Sequence, residues 1–272
     1  MAVLAVGIFG AALFFRSQIS EFLSFAPTKG SFSVVEIPTP SSKETPPPLL
    51  GSKESGNKAE SSKKTFVPIY IGRDPAEIRP VPEEVKLFTE LQKEQLYSTL
   101  KTHATAVKRN PTYFEGWIQV GMLKKTIGDF EGARDAWEYV SLIEPLNSLS
   151  FANLGELYWR YLRDFPKAEE NLKTSIKHKP NDFQTYLTLS DLYYYSYQEK
   201  ADQADKVLLD GIEANLDNIP VKSNLMRALA RLYENKKELA KALEWWQKVL
   251  DTEPGNTEVA ATIENLKKKI NP

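Results

Sequence analysis

The stretch FEGWIQVGMLKKTIGDFEGARDAWEYVSLIEPLN, residues 114–147, decides the fold of this chain. Apolar side chains recur at helical spacing from Trp117 onward and again from Phe130 onward, as is typical of amphipathic helices. Gly128 stands between the two runs, and Pro145 closes the second. Because proline cannot continue a helix, the stretch predicts two helices joined by a tight turn and ended at Pro145.

This pattern recurs along the rest of the chain. Small residues form a first column at separations of 34, 35 and 40 residues, namely Gly121, Gly155, Ser190 and Ala230. A second column contains Ala133, Ala168, Ala204 and Ala242, and three of the units end in proline, at Pro145, Pro180 and Pro254. Small side chains let two helices of a hairpin approach closely. The repeats predict four helical hairpins, at residues 114–147, 148–182, 183–222 and 223–256.

The four units resemble the tetratricopeptide repeat (TPR) family. The first unit matches the family pattern at Trp117, Gly121, Gly128, Phe130, Ala133, Trp137 and Pro145, whereas Lys124 stands where an aromatic residue is usual. The second unit has one extra residue near Arg163 and Asp164, and in the third Leu216 replaces the closing proline. The resemblance implies an all-α, right-handed α-solenoid of stacked helix-turn-helix hairpins with a concave groove.

Helical segments flank the repeats on both sides. Residues 83–112 are predicted to form an N-terminal cap or a degenerate half-repeat. The repeat domain itself then spans residues 113–256. Residues 257–272 are predicted to form a C-terminal capping helix, with Thr257 as its N-cap residue and three lysines near its end. Such caps give a solenoid a polar outer end.

The resemblance also implies which side chains line the groove, since in this family the first helix of each hairpin faces it. The predicted partner-binding residues are Met122, Asn153, Glu156, Trp159, Arg160, Leu187, Asp191, Tyr194, Asn224, Arg227 and Arg231. Arg227 and Arg231 lie one helical turn apart and together could hold a carboxylate by charge-assisted hydrogen bonds. The other residues of the carboxylate clamp found in some family members are not present, so ordinary solvated or ion-paired arginines are the competing interpretation.

The first fifteen residues, MAVLAVGIFGAALFF, contain no charged side chain, and Arg16 follows them. As a helix this run spans roughly 22 Å, and further apolar residues bring residues 1–26 nearer to the roughly 30 Å of a bilayer core. We therefore expect a single-pass, uncleaved membrane anchor. A signal peptide is the rival interpretation, although no basic residue precedes the run. A start codon placed too far downstream would also account for the missing basic residues.

Residues 27–82 hold ten of the 17 prolines and are otherwise rich in Ser, Thr, Lys, Glu and Gly. This composition predicts a disordered linker. One apolar interruption, FVPIYIG at residues 66–72, leaves two alternatives open, namely docking against the folded part or remaining unstructured. Anchor, linker and repeats in this order suit a bacterial-type cell envelope, and the linker composition leads us to expect the repeat domain outside the cytoplasm. The alternative is a cytoplasmic repeat domain, which Arg16 and Lys29 after the apolar run favour.

Composition argues against several other functions. The chain has no cysteine and two histidines, and its net charge is -1. It carries no phosphate-binding, nucleophile-elbow or metalloprotease motif. We therefore predict no enzyme activity, no cofactor and no metal, and expect protein partners rather than nucleic acid. A structural, homo-oligomerising role in the cell envelope is the main alternative to partner binding, and RNA binding by helical repeats is a weaker one.

Overall fold

The computed structural model describes residues 67–271. The predicted membrane anchor, residues 1–26, and the predicted linker up to residue 66 lie outside this range. No helix between residues 67 and 271 is long and apolar enough to cross a membrane.

The described part of the chain is helical and contains no strand. After a single helical turn at Pro82–Val85, ten helices follow in chain order: α1 Glu90–Arg109, α2 Phe114–Thr126, α3 Phe130–Ile143, α4 Ser148–Leu157, α5 Phe165–His178, α6 Phe183–Tyr195, α7 Ala204–Glu213, α8 Ile219–Asn235, α9 Leu239–Thr252 and α10 Thr257–Ile270.

The helices pair into four hairpins, α2 with α3, α4 with α5, α6 with α7, and α8 with α9. Each hairpin packs on the next, while α1 covers α2 at one end and α10 covers α9 at the other. One continuous core of buried apolar side chains runs through the stack. The predicted all-helical architecture of stacked hairpins is therefore confirmed for residues 67–271.

Close helix contact within the hairpins explains the columns of small residues. A Cβ atom on Gly121 would lie 2.2 Å from the indole nitrogen of Trp137, and one on Gly155 would lie 2.5 Å from Leu172 Cγ. Ser190 holds the same place in the third hairpin, and its hydroxyl donates to the carbonyl of Ala204 at 2.8 Å. Larger side chains at these places would push the paired helices apart.

The turns inside three hairpins share one backbone feature. Gly128, Arg163 and Lys237 each adopt a positive φ, of 86°, 59° and 63°, and a residue in this left-handed conformation commonly ends a helix. In the second hairpin the turn Tyr158–Leu162 is π-helical and directly precedes Arg163. This wider turn accommodates the extra residue that the sequence places near Arg163.

The fourth hairpin begins earlier than predicted. Its first helix, α8, starts at Ile219, not at residue 223, and has Pro220 in its first turn. Proline is tolerated there because the first amide groups of a helix have no acceptor within it. The missing proline at Leu216 led the sequence prediction to place the residues just before 223 in a connection.

Both capping segments form helices. The N-terminal cap α1 begins at a capping box, in which Thr89 and Gln92 bond reciprocally. At α10 the predicted N-cap is wrong by one residue, because Thr257 is already helical. The Asn256 side chain accepts from the amide of Val259 at 3.1 Å and is the actual N-cap.

The predicted linker extends too far toward the repeats. Residues 67–81, which fall within it, pack as a non-helical segment, here called the pre-repeat segment, against the first hairpin. The centroid of the Tyr70 ring lies 4.3 Å from that of the Trp117 ring and 5.3 Å from that of the Tyr139 ring. Tyr139 in turn donates its hydroxyl to the carbonyl of Pro68 at 2.8 Å. Of the two alternatives for the apolar interruption, docking therefore holds for its described residues, 67–72.

Polar contacts fix the same segment. The Arg73 amide and guanidinium both bind Asp135, at 3.0 and 2.9 Å, and the guanidinium also pairs with Glu131. Further on, the Val81 amide donates to the carbonyl of Ile127 at 2.8 Å. Hydrogen bonds and aromatic packing together explain why this part of a proline-rich stretch is ordered.

Candidate functional site

All eleven predicted groove residues lie on the first helices of the hairpins or on the π-helical turn that continues α4. Five of them line a single open cleft of about 900 Å³ between α6 and α8, namely Leu187, Asp191, Asn224, Arg227 and Arg231. The other six, Met122, Asn153, Glu156, Trp159, Arg160 and Tyr194, are not among the residues that line it.

Both apolar and polar side chains line this cleft, here called the α6–α8 cleft. Phe183 and Leu187 of α6, Leu208 of α7 and Ile219 of α8 supply apolar surface. The junction between α9 and α10 also lines the cleft, with residues that include Glu253. A surface of this mixed kind suits a peptide, because apolar contact supplies affinity and the polar groups set register.

Arg227 is already paired within the chain. Its guanidinium lies 2.5 Å from a carboxylate oxygen of Glu253, and that carboxylate also accepts from Ser223 and from Asn256. The Ser223 hydrogen bond is the largest of the interactions that lower the pKa of Glu253. The carboxylate that Arg227 holds is therefore one from its own hairpin.

Arg231 is placed differently, although it is only one turn away. Its guanidinium lies over the ring of Trp246, 5.9 Å from the ring centroid, and forms no ion pair with residues 67–271. Trp246 donates its indole N–H to Glu234 at 2.7 Å. The two arginines thus do not converge on one carboxylate, and of this pair it is Arg231 that presents a cation to the cleft.

Asp191 is the charged residue that α6 contributes to the cleft. It makes no hydrogen bond and no ion pair with any residue in the described range. Burial raises the pKa of its carboxyl to about 6, and the charge of Arg160 opposes this effect. The cause is desolvation, which disfavours the ionised form.

The predicted groove residues nearer the N-terminus mostly contact one another. Lys125 of α2 pairs with Glu156 of α4 at 2.6 Å, joining two hairpins. Arg160 lies 4.0 Å from the ring centroid of Trp159 and 3.5 Å from Glu156. The Trp159 indole donates to the Ser196 hydroxyl at 2.8 Å. These side chains tie the second hairpin to its neighbours on both sides.

Three further predicted groove residues differ in their exposure and contacts. Met122 is exposed on α2. The amide nitrogen of Asn153 is buried and has no hydrogen-bond partner within residues 67–271, so it does not reach the surface. Tyr194 packs edge-on against Tyr195, with ring centroids 4.7 Å apart.

The prediction missed several residues that line the cleft. Ile219 and Pro220 were missed because α8 begins earlier than expected. Glu253 and Asn256 come from the connection after α9, which a projection of the first helices cannot include. Asn235, at the end of α8, donates to the Tyr195 hydroxyl at 3.2 Å. It was also missed, although it follows Arg231 by one helical turn, a spacing that could have indicated it.

No group of three or more His, Asp or Glu side chains suited to a metal ion was found in the part of the chain that the structure describes.

No protein-family model and no curated protein matches this chain. Among solved structures, the chain is similar to the crystal structure of MamA, with 16% identity and a TM-score of 0.46 over 65% of this chain and 97% of that one. It is also similar to TTC0263, a thermophilic TPR protein in Thermus thermophilus, with 20% identity and a TM-score of 0.43 over 69% of this chain and 96% of the other.

Proposed function

We propose that this chain is a non-catalytic scaffold of the tetratricopeptide-repeat type that binds a peptide or helix of a partner protein in the α6–α8 cleft. The observation that carries the proposal is the cleft itself, which is open, measures about 900 Å³ and is lined by both apolar and charged groups. The repeat columns of small residues support the family assignment.

The shape and chemistry of the cleft favour a protein segment over a compact ligand. Two helices of neighbouring hairpins, α6 and α8, form its walls, so a segment can lie along it and contact several helical turns. Leu187 and Ile219 offer apolar contact, while Asn224 and Arg231 offer hydrogen bonds. Interfaces between proteins combine apolar contact with hydrogen-bonding groups.

We also propose that residues 1–26 tether the scaffold to a membrane, with the repeats outside the cytoplasm. The uncharged run of residues 1–15 and the proline-rich composition that follows support this proposal. The full chain should sediment with membranes and resist extraction by high salt, whereas a variant lacking residues 2–26 should be released. Release of the full chain by salt alone would contradict tethering.

Site-specific photocrosslinking tests the binding proposal. A benzophenone amino acid replaces Leu187 inside the cleft in one full-length variant and exposed Lys206 on α7 in another. After irradiation in the native cells, we expect the probe at position 187 to form adducts with another protein and the probe at position 206 to form none. Because both positions are on the third hairpin, the comparison controls for non-specific binding.

Two outcomes would contradict the proposal. Adducts with the same proteins from both positions would mean that the cleft has no special role. Adducts only with a second copy of this chain would favour the structural, oligomer-forming role.

A further inference from the structure

Asp191 is a carboxylate that forms no ion pair within residues 67–271, although the charge of Arg160 acts on it from a distance. None of the three arginines of the predicted groove, on the π-helical turn and on α8, forms an ion pair with Asp191. Arg160 stacks on Trp159 and lies 3.5 Å from Glu156. Arg227 is paired with Glu253 at 2.5 Å, and Arg231 lies over Trp246.

An unpaired carboxylate in a partly buried place destabilises the folded protein, because its charge has lost water and gained no partner. Burial accordingly raises the pKa of Asp191 to about 6. At neutral pH the group is still mostly ionised. A cation that enters the cleft would therefore meet a poorly solvated negative charge, where ion pairing is strongest.

An aromatic ring stands on the same face of α6. Tyr195 follows Asp191 by four residues, which places both side chains on one side of the helix, and both line the cleft. The negative charge of Asp191 also raises the pKa of the Tyr195 hydroxyl, although burial raises it more. A carboxylate beside an exposed aromatic ring suits a cationic side chain, which gains both charge pairing and cation–π attraction.

We infer that the partner segment carries a lysine or arginine that pairs with Asp191 beside the ring of Tyr195 in the α6–α8 cleft. Apolar residues of the segment on either side of this cation contact Leu187 and Ile219. The inference rests on the proposed function, because it names the chemistry of the partner that this cleft binds.

Selection from a phage library of random dodecapeptides tests the inference. The immobilised protein is the full-length chain in four forms. They are wild type, Asp191→Asn, the control Asp202→Asn, and Asn224→Trp, which fills the cleft. Asp202 is exposed and lies outside the cleft, so its variant removes one acidic charge without touching the site. Circular dichroism establishes that each form is folded.

We expect wild type and Asp202→Asn to select peptides with a basic residue at one fixed position. Asp191→Asn should lose this preference, and Asn224→Trp should lose binding. For a selected peptide, replacing its basic residue with glutamine should weaken binding to wild type by about tenfold or more and leave binding to Asp191→Asn unchanged.

Peptides that depend on the open cleft but show no basic residue would overturn the inference and leave the proposed function standing. A basic preference that persists in Asp191→Asn would have the same meaning. If no selected peptide is sensitive to Asn224→Trp, the proposed function fails, and the inference fails with it.

Discussion

The effect of Asp191 on the free energy of unfolding can be measured in the protein without a partner. Its carboxyl has a pKa of about 6 in the folded chain, against an ordinary value of 3.8. The folded state thus binds a proton more tightly than the unfolded state does. Asp191 consequently destabilises the fold above about pH 6, and this penalty disappears as the pH falls through 6 toward 4.

We expect Asp191→Asn to raise the free energy of unfolding at pH 7 by about 1–2 kcal/mol, since each pKa unit corresponds to about 1.4 kcal/mol and the side chain keeps some contact with water. The gain should shrink to near zero at about pH 4. Urea unfolding of both proteins across this range measures it. Groups that titrate in both proteins, such as His103, whose pKa is lowered by burial, contribute equally to both free energies of unfolding and cancel in the difference.

Asp202→Asn provides the matched control, because Asp202 is exposed and should change stability little at any pH. A gain for Asp191→Asn that is the same at pH 4 and pH 7 would contradict the assigned electrostatic cause.

Lys124 shows which residue-level features were predictable. The sequence marks it as a departure from the aromatic residue usual at that place, but one of its two partners lies 47 residues earlier in the chain. Its side chain is 1% exposed, and its ammonium binds Asp129 at 2.6 Å and the carbonyl of Glu77 at 3.0 Å. Glu77 lies in the stretch whose composition predicted a linker, so no local pattern could reveal this contact.

Within the hairpin turns, the backbone conformation offers a second test. Lys237 adopts a φ of 63° at the place where Gly128 stands in the first hairpin. Glycine reaches this region without the steric penalty that a Cβ atom brings. We expect Lys237→Gly to raise the free energy of unfolding by about 0.5–1 kcal/mol, as measured by thermal or urea unfolding.

Lys237→Ala separates backbone strain from charge. It removes the same ammonium group but keeps a Cβ atom, so it should give no gain. Equal stabilisation by both variants would assign the effect to the lost lysine charge.

Most helices could be predicted from the sequence, because the small residues and the helical spacing that indicate them lie within one hairpin. The start of α8 could not be predicted in this way, since it depends on how the chain continues past Leu216 without a closing proline. The same limit applies to the candidate site. Projection of the first helices found Leu187 and Asp191, but the cleft also needs Glu253 from a connection, which only packing brings into place.

On the scale of the whole repeat domain, stability should depend on contacts between neighbours. Each hairpin packs on the next, and the pre-repeat segment covers the first. In such a linear stack, a strained hairpin in the interior uncouples the blocks on its two sides. The second hairpin is well placed for this test, because α4 and α5 have neighbours on both sides.

We expect Gly155→Leu to break this coupling. A Cβ atom there already meets Leu172 Cγ at 2.5 Å and the backbone oxygen of Ala168 at 3.2 Å, so α4 and α5 must separate. The loss should exceed the roughly 1–3 kcal/mol typical of overpacking, even though leucine favours helix more than glycine does. Thermal unfolding followed by circular dichroism should then show two transitions in place of one.

Gly255→Leu is the matched control, since a Cβ placed on Gly255 meets no atom within 4 Å beyond its own chain neighbours. Hydrogen exchange read residue by residue then tells a broken stack from a locally strained one. Loss of protection through α4 and α5, with protection kept in α8 and α9, means that the blocks unfold separately.

A single unchanged transition in Gly155→Leu would contradict the close contact of α4 and α5, and with it the register that aligns Gly155 with Gly121. Because that same register places Asp191 and Arg231 on the groove side of their helices, the result also bears on the assignment of the cleft.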